Sequence, residues 1–374
     1  MSLHAIVPAG GAGTRLWPLS RRDHPKFLHD LTGTGRSLLQ ATIDRLEPLT
    51  ASITVVTGTR HAAAVREQLP ELPGNSVLAE PAPRDSMAAI GLAAAVLLHR
   101  HPGQDVVVGS FAADHVITDT AAFADAVDAA TAAARAGYVA TIGIEATSPS
   151  TAFGYIESGA TLDVDAPLPV RHVLGFTEKP DADTAAAYLR TGRYRWNAGM
   201  FVARAQVLLD HLATEHPDLA AGLRRVAAAW DTPEGPQVLH REWPALTAIS
   251  IDHAIAEPVA ARGGVAVVPA GFDWSDVGDW AGLRTLLIAD GEESAEQAGA
   301  DGVVVLGEDG HALTIDAPES FVVPAAGRKV VLIGVPDAVV VDTPDAVLVT
   351  TTAHAQRVKD AVTTLSGDGA ADLL

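Results

Sequence analysis

Over the first 280 positions, apolar residues fall in short continuous runs separated by longer stretches of helical period. The runs are residues 4–8, 53–57, 77–79, 106–108, 138–142 and 265–268. Each reads as a buried strand, because consecutive residues are apolar instead of alternating with polar ones. Helical patterns cover residues 38–46, 60–69, 87–99, 120–136 and 204–230, and a further helix starts at residues 250–254. Ser37 and Gln40 form a capping box at the first of these, and Asp85 or Ser86 is placed to cap the third. This alternation predicts an α/β fold with a Rossmann-like mixed, mostly parallel sheet and helices on both faces.

The pattern changes at a polar, Ala/Gly/Glu-rich linker, residues 289–302. Beyond it, short runs at 303–306, 321–323, 330–333, 338–341 and 346–349 are punctuated by Gly, Pro and Asp. They predict a small all-β unit with a closing helix near 353–365. The expected domains are therefore residues 1–288, carrying the chemistry, and residues 289–374. Pro344 and Asp345 argue against a catalytic role for the second.

Composition narrows the class. A chain of 374 residues can bury a sizeable core, and the absence of cysteine removes disulfides, thiol nucleophiles and Cys-ligated metal sites. Its 46 acidic against 26 basic residues leave no extended basic face for nucleic acid. The start of the chain shows no signal-peptide pattern, and its most apolar helical stretch, residues 87–98, is far short of the roughly 20 residues that span a bilayer. The expectation is a soluble cytoplasmic protein with no membrane partner.

The candidate chemistry begins where the first strand ends, at Gly10-Gly11-Ala12-Gly13-Thr14-Arg15. Ligands of open α/β sheets bind at the carboxyl ends of strands, where glycines let backbone N–H groups approach an anion. Phosphate is the obvious candidate. Position 16 is Leu16, which breaks the dinucleotide fingerprint, and the Walker A ending is absent. Arg15, Arg21, Arg22 and Lys26 concentrate positive charge beside this turn in a chain of net charge -20. A structural βα turn with solvated arginines remains the plain alternative.

Gly10 to Ser20 followed by Pro25-Lys26 resembles the signature of the sugar-1-phosphate nucleotidylyltransferases, and Trp17-Pro18-Leu19-Ser20 is similar to the branch that uses GTP and mannose 1-phosphate. The resemblance implies that Gly10, Gly11, Gly13, Thr14, Arg15 and Lys26 hold the triphosphate. Asp85 and Ser86, where relatives carry Asn-Thr, lie in the loop over the base and ribose. Asp114 follows the strand at 106–108 and Asp276 follows the one at 265–268. Alone, Asp114 reads more readily as a turn or cap residue, whereas Asp276, flanked by aromatic residues and a glycine, does not read as a merely solvated surface charge. By resemblance they are the two ligands of a Mg²⁺ ion, and with Arg15 and Lys26 they are the catalytic residues. Gly143, Gly154, Glu178, Lys179 and Asn197 would hold the sugar phosphate. The resemblance further implies a C-terminal left-handed β-helix used for homodimer contact. The implied reaction transfers GMP from GTP to mannose 1-phosphate; a different sugar 1-phosphate, or nucleotide-sugar binding without turnover, stays open.

Overall fold

In a computed structural model of the chain, residues 2–11, 13–289, 301–307, 310–367 and 370–374 are described. Ala12 and residues 290–300, most of the expected linker, lie outside them. The chain divides into two compact units, one of residues 1–10, 43–113 and 119–274, the other of residues 11–42, 114–118 and 275–374.

The first unit is a nine-stranded sheet with its helices. The strands are β1 (Leu3–Ala9), β2 (Ser52–Gly58), β3 (Val77–Glu80), β4 (Val107–Ser110), β6 (Val139–Glu145), β7 (Tyr155–Thr161), β8 (Arg171–Thr177), β9 (Tyr194–Arg204) and β10 (Val265–Ala270). β5 (Val116–Ile117) belongs to the second unit, and β11 (Trp274–Ser275) marks where the chain passes from the first unit to the second. The sheet order is β3-β2-β1-β4-β9-β6-β10-β8-β7. It is mixed: β1 to β4 pair in parallel, as do β6 and β10, while β9 runs antiparallel between β4 and β6. Ala9 pairs with Thr57, and Gly58 with Glu80, so β1, β2 and β3 end along one edge.

The helices in chain order are α1 (Leu38–Leu46), α2 (Ala62–Gln68), α3 (Asp85–Arg100), α4 (Thr120–Arg135), α5 (Ala182–Thr191), α6 (Ala205–Glu215), α7 (Pro217–Ala229), α8 (Gly235–Glu242), α9 (Glu257–Ala260), α10 (Trp280–Ala289) and α11 (Val358–Gly367). Side chains of β1, β2, β4, β6 and β10 are buried on both faces, which is why those runs read as continuous. Ile6, Val56, Val108 and Val267 pack with Met87 and Leu92 of α3, Leu209 of α6 and Leu223 of α7. Elsewhere in the unit, Phe123 of α4 meets Phe111 and Phe272 edge to face, at 5.9 and 5.6 Å. Fully burying side chains of this size contributes on the order of 1.5–3 kcal/mol each.

Two helix starts differ from expectation. At α3 neither Asp85 nor Ser86 caps the helix. Ser86 Oγ instead accepts the Ile251 N–H at 2.9 Å, and Met87 N–H donates to Ile249 O at 3.1 Å, so the side chain ties the loop to residues 249–251. The helix expected from residue 250 opens as a π-helical turn, Asp252–Ala256, before α9. The capping box forms as expected, with Ser37 N–H to Gln40 Oε1 at 3.0 Å and Gln40 N–H to Ser37 Oγ at 3.2 Å.

In the second unit, β12 (Val304–Val305), β14 (Phe321–Val323) and β16 (Ala338–Asp342) stack in parallel, with Val304 over Phe321 over Val339. A second stack pairs β13 (Ala312–Ile315) with β15 (Val330–Ile333), and β17 (Val347–Thr351) closes on β16 antiparallel. This is a small β-helix-like coil followed by α11. Sequence reading missed β13, whose Leu313 and Ile315 are exposed and whose pattern alternates. The core of this unit joins the coil to the start of the chain: Leu16, Trp17 and Leu31 pack with Trp280, Phe321, Val339 and Val341. Among the described residues no helix is long and apolar enough to cross a membrane.

Candidate active site

Two groups of candidate residues emerge, one in each unit. In the second unit the signature loop turns through Gly13, whose φ of 59° places it in the left-handed region. A Cβ there would lie 2.8 Å from Lys26 Cβ and 2.9 Å from Ser20 Oγ, so only glycine lets the turn close onto Lys26. Thr14 and Arg15 follow on a short 3₁₀ turn, and the Trp17–Pro18 bond is cis. At Gly10, the last residue of the first unit's opening segment, nothing would contact an added side chain, which leaves that backbone open to a ligand.

Lys26 is the centre of this group. Its Nζ lies 2.9 Å from Asp114 Oδ2 and donates to the Asp276 backbone carbonyl at 2.6 Å. A cation from the loop and two carboxylates from distant sequence thus share one place. Burial pushes the Asp114 carboxyl up, but the Lys26 ammonium and then His115 outweigh it and hold the group below its ordinary value. Asp276 goes the other way: burial raises it, Lys26 and Arg15 oppose, and the Asp114 charge adds to the rise. Val277, next to it, has φ 47°, a costly conformation for a β-branched residue and of the kind that collects at functional sites.

Among the described residues no cluster of three or more His, Cys, Asp or Glu side chains is placed to hold a metal. Two carboxylates that feel each other's charge are nonetheless the donor set that suits Mg²⁺, which binds through one or two carboxylates and completes its octahedron with phosphate oxygens and water.

The second group lies in the first unit. Gly154, Glu178 and Asn197 converge: a Cβ on Gly154 would meet Glu178 Oε2 at 2.6 Å and Asn197 Cβ at 3.3 Å. Asn197 N–H donates to Gly154 O at 2.8 Å, and its side chain is fixed by Thr141 Oγ1 donating to Oδ1 at 2.9 Å. Lys179 Nζ lies 2.6 Å from Glu178 Oε1 with its side chain largely exposed, and its φ is 45°. Burial lowers the Lys179 amine, but Glu178, Asp252 and Asp85 together raise it. Asp85, exposed and at φ 62°, thus belongs electrically with this group. Gly143 pairs with Asn197 across β6 and β9, where a Cβ would strike Val267 Cγ2 at 2.8 Å.

Asp252 is the residue that sequence reading missed. Asn197 Nδ2 donates to its Oδ1 at 2.9 Å, and burial followed by the Glu178 charge pushes its carboxyl up to about 6. Its only sequence signal was a polar residue at a helix start, which is a common cap; the π-helical turn that carries it was not legible.

Comparison with known proteins gives the family. Residues 4–292 match the family model described as nucleotidyl transferase, and residues 310–365 match a MannoseP isomerase/GMP-like beta-helix domain. The chain belongs to the nucleotidyl transferase family. Its relatives there include the Mannose-1-phosphate guanylyltransferase of Escherichia coli (strain K12), 36% identical over 98% of this chain and 74% of that protein. The Xanthan biosynthesis protein XanB of Xanthomonas campestris pv. campestris (strain B100) is 38% identical over 78% of this chain. The alignment covers 60% of XanB, so the chain spans about 60% of the length of curated relatives of that kind. Among solved structures, one titled mannose-1-phosphate geranyltransferase, from Thermus thermophilus, is 31% identical with a TM-score of 0.80, covering 98% of this chain and all of that one.

Proposed function

We propose that the chain transfers GMP from GTP to mannose 1-phosphate, giving GDP-mannose and pyrophosphate. The observation that carries this reading is Lys26 held between Asp114 and the backbone of Asp276, in a chain whose relatives include one named mannose-1-phosphate guanylyltransferase. A phosphate oxygen of the sugar phosphate forms a bond to the α-phosphorus of GTP while the bond to the bridging oxygen breaks, and pyrophosphate leaves with that electron pair. No enzyme nucleophile is needed, so catalysis consists of positioning and charge neutralisation.

The residues divide that work. The open backbone at Gly10 and Gly11, with Gly13, Thr14, Arg15 and Lys26, takes the triphosphate. Lys26 turns its Nζ from Asp114 toward phosphate. Asp114 and Asp276 would hold Mg²⁺, which supplies neutralisation of charge on the phosphate oxygens. In the first unit, Glu178, Asn197, Gly143 and Gly154 take the sugar, Lys179 takes its phosphate, and Asp85 and Ser86 shape the nucleoside loop. We further place the domain boundary at 288/289, the protein in the cytoplasm, and a homodimer contact on the coil, where Leu313, Ile315, Val331 and Ile333 are exposed and Leu313 pairs with Val331.

The test is pyrophosphate release from a panel of nucleoside triphosphates against sugar 1-phosphates. GTP with mannose 1-phosphate should give the highest kcat/KM. A higher value for UTP or dTTP with glucose 1-phosphate would sink the proposal.

A further inference from the structure

One carboxylate beside the sugar group is not used up by the contacts it makes. Asp252 Oδ1 accepts the Asn197 Nδ2–H at 2.9 Å, and among the described residues no other residue donates to that carboxylate. Asn197 needs nothing more from it. Its Oδ1 is taken by the Thr141 hydroxyl at 2.9 Å and by the Gly199 N–H at 3.2 Å, which fixes the amide with Nδ2 toward Asp252. A neutral side chain with one acceptor oxygen, such as asparagine, would hold Asn197 equally well. The fold instead keeps a carboxylate there, where burial and then the Glu178 charge push it up to about 6. A charge held at a cost that its structural contact does not require points to a ligand.

The surroundings say what kind of ligand. Asp252 opens the π-helical turn Asp252–Ala256, and Ile251 before it and Ala254, Ile255 and Ala256 after it are buried in the main core. The backbone that carries the carboxylate is therefore fixed. Nearby, Glu178 pairs with Lys179 through Oε1, while its Oε2 lies 2.6 Å from where a Gly154 Cβ would be. Every one of these residues belongs to the first unit. Two carboxylates that feel each other's charge present acceptors only, so a group that meets them must donate. Sugar hydroxyls do so, and a hydrogen bond from a hydroxyl to a carboxylate is roughly twice as strong as a neutral one. Fluorine and ether oxygen cannot donate.

We propose that Asp252 is a specificity-determining residue for the sugar: its free carboxylate oxygen accepts a hydrogen bond from one sugar hydroxyl, and sugars without a donor at that carbon are rejected. Holding Asn197 is then the lesser of its two tasks. This inference rests on the reading of Glu178 and Asn197 as the groups that take the sugar of a sugar 1-phosphate.

The experiment replaces the hydroxyls of mannose 1-phosphate one at a time by fluorine, which nearly keeps the size and removes the donor, in wild type and Asp252→Asn. The asparagine leaves an acceptor for Asn197 and turns an NH₂ toward the sugar. In wild type, fluorine at one carbon should weaken binding on the order of tenfold or more, the range for a hydrogen bond to a charged group. In Asp252→Asn that ratio should fall to a few-fold at the same carbon and stay as in wild type at the others. A merely structural role would move all the analogues alike. Ratios unchanged at every carbon, or an equal loss with every analogue, overturn the assignment, as does a wild type that prefers hydroxyl to fluorine at no carbon. Dissociation constants, taken with and without the α,β-methylene analogue of GTP, give these ratios independently of turnover. If wild type binds mannose 1-phosphate but releases no pyrophosphate with GTP, the transfer reading fails and the binding ratios still decide Asp252. If mannose 1-phosphate does not bind, both fail. Should Asp252→Asn not fold or not bind, Asp252→Ala, which has neither charge nor donor, must narrow the same single ratio.

Discussion

At the scale of single residues, the charges around Lys26 and Lys179 make separable claims. If Asp114 and Asp276 hold one ion, they act as a unit and their losses do not add. Asp114→Asn and Asp276→Asn should each remove most of the activity, and the double change should cost little more; independent multiplication of the two losses, read as kcat/KM, would refute a shared ion. Lys179→Ala should raise KM for mannose 1-phosphate and leave that for GTP nearly unchanged, because its ammonium belongs with Glu178, Asp252 and Asp85. Asp252 makes a claim on stability. Its carboxyl, pushed up to about 6, is ionised at pH 7 at a cost to the fold that is present above that pH and fades as the pH falls toward the ordinary aspartate range. Asp252→Asn keeps an acceptor for Asn197 and should stabilise the protein by roughly 2 kcal/mol at pH 7.5, a figure reduced for partial solvent screening. The gain in Tm should shrink by pH 5. A variant no more stable at pH 7.5 than wild type contradicts the strain.

The elements were legible in proportion to how continuous their apolar runs are. β1, β2 and β10 are buried on both faces and appeared within a residue or two of their bounds, whereas β13 alternates and was not seen. The caps at α3 misled because Ser86 serves a bond across the fold, to Ile251, instead of its own helix. The site was legible where residues stand in contiguous motifs, as with Gly13 and Lys26. It was not legible where a single acid takes its role from neighbours far along the chain, as with Asp252. The turn at Gly13 offers an element-scale test. Gly13→Ala forces a Cβ against Lys26 and a left-handed backbone on alanine, and should cost about 2 kcal/mol or more. Denaturant midpoint and GTP affinity should fall together; an unchanged GTP affinity would show that the turn does not set the position of Lys26.

For the whole molecule, the second unit changes what the C-terminal coil is for. Sequence reading gave it oligomer contact and no chemistry. The structure puts it in one core with the signature loop: Trp280 Nε1 donates to Trp17 O at 3.1 Å, Trp280 meets Phe321 edge to face at 5.9 Å, and Trp17 Nε1 donates to Leu373 O at 2.7 Å. Arg21 adds an ion pair to Asp345 at 2.7 Å. Removing residues 300–374 should therefore abolish GTP binding as well as lower the mass in solution, and a truncated chain that still binds GTP tightly would separate the coil from the loop. The same arrangement orders events during synthesis. Trp17 and the tryptophan that donates to its carbonyl are 263 positions apart, which at ribosomal rates is on the order of tens of seconds. Through that interval Leu16, Trp17 and Leu31 have been translated, but most of their packing partners, from Val277 to Val358, have not. The nascent chain then carries an unfinished apolar loop, a target for holding chaperones, until its last strands are made.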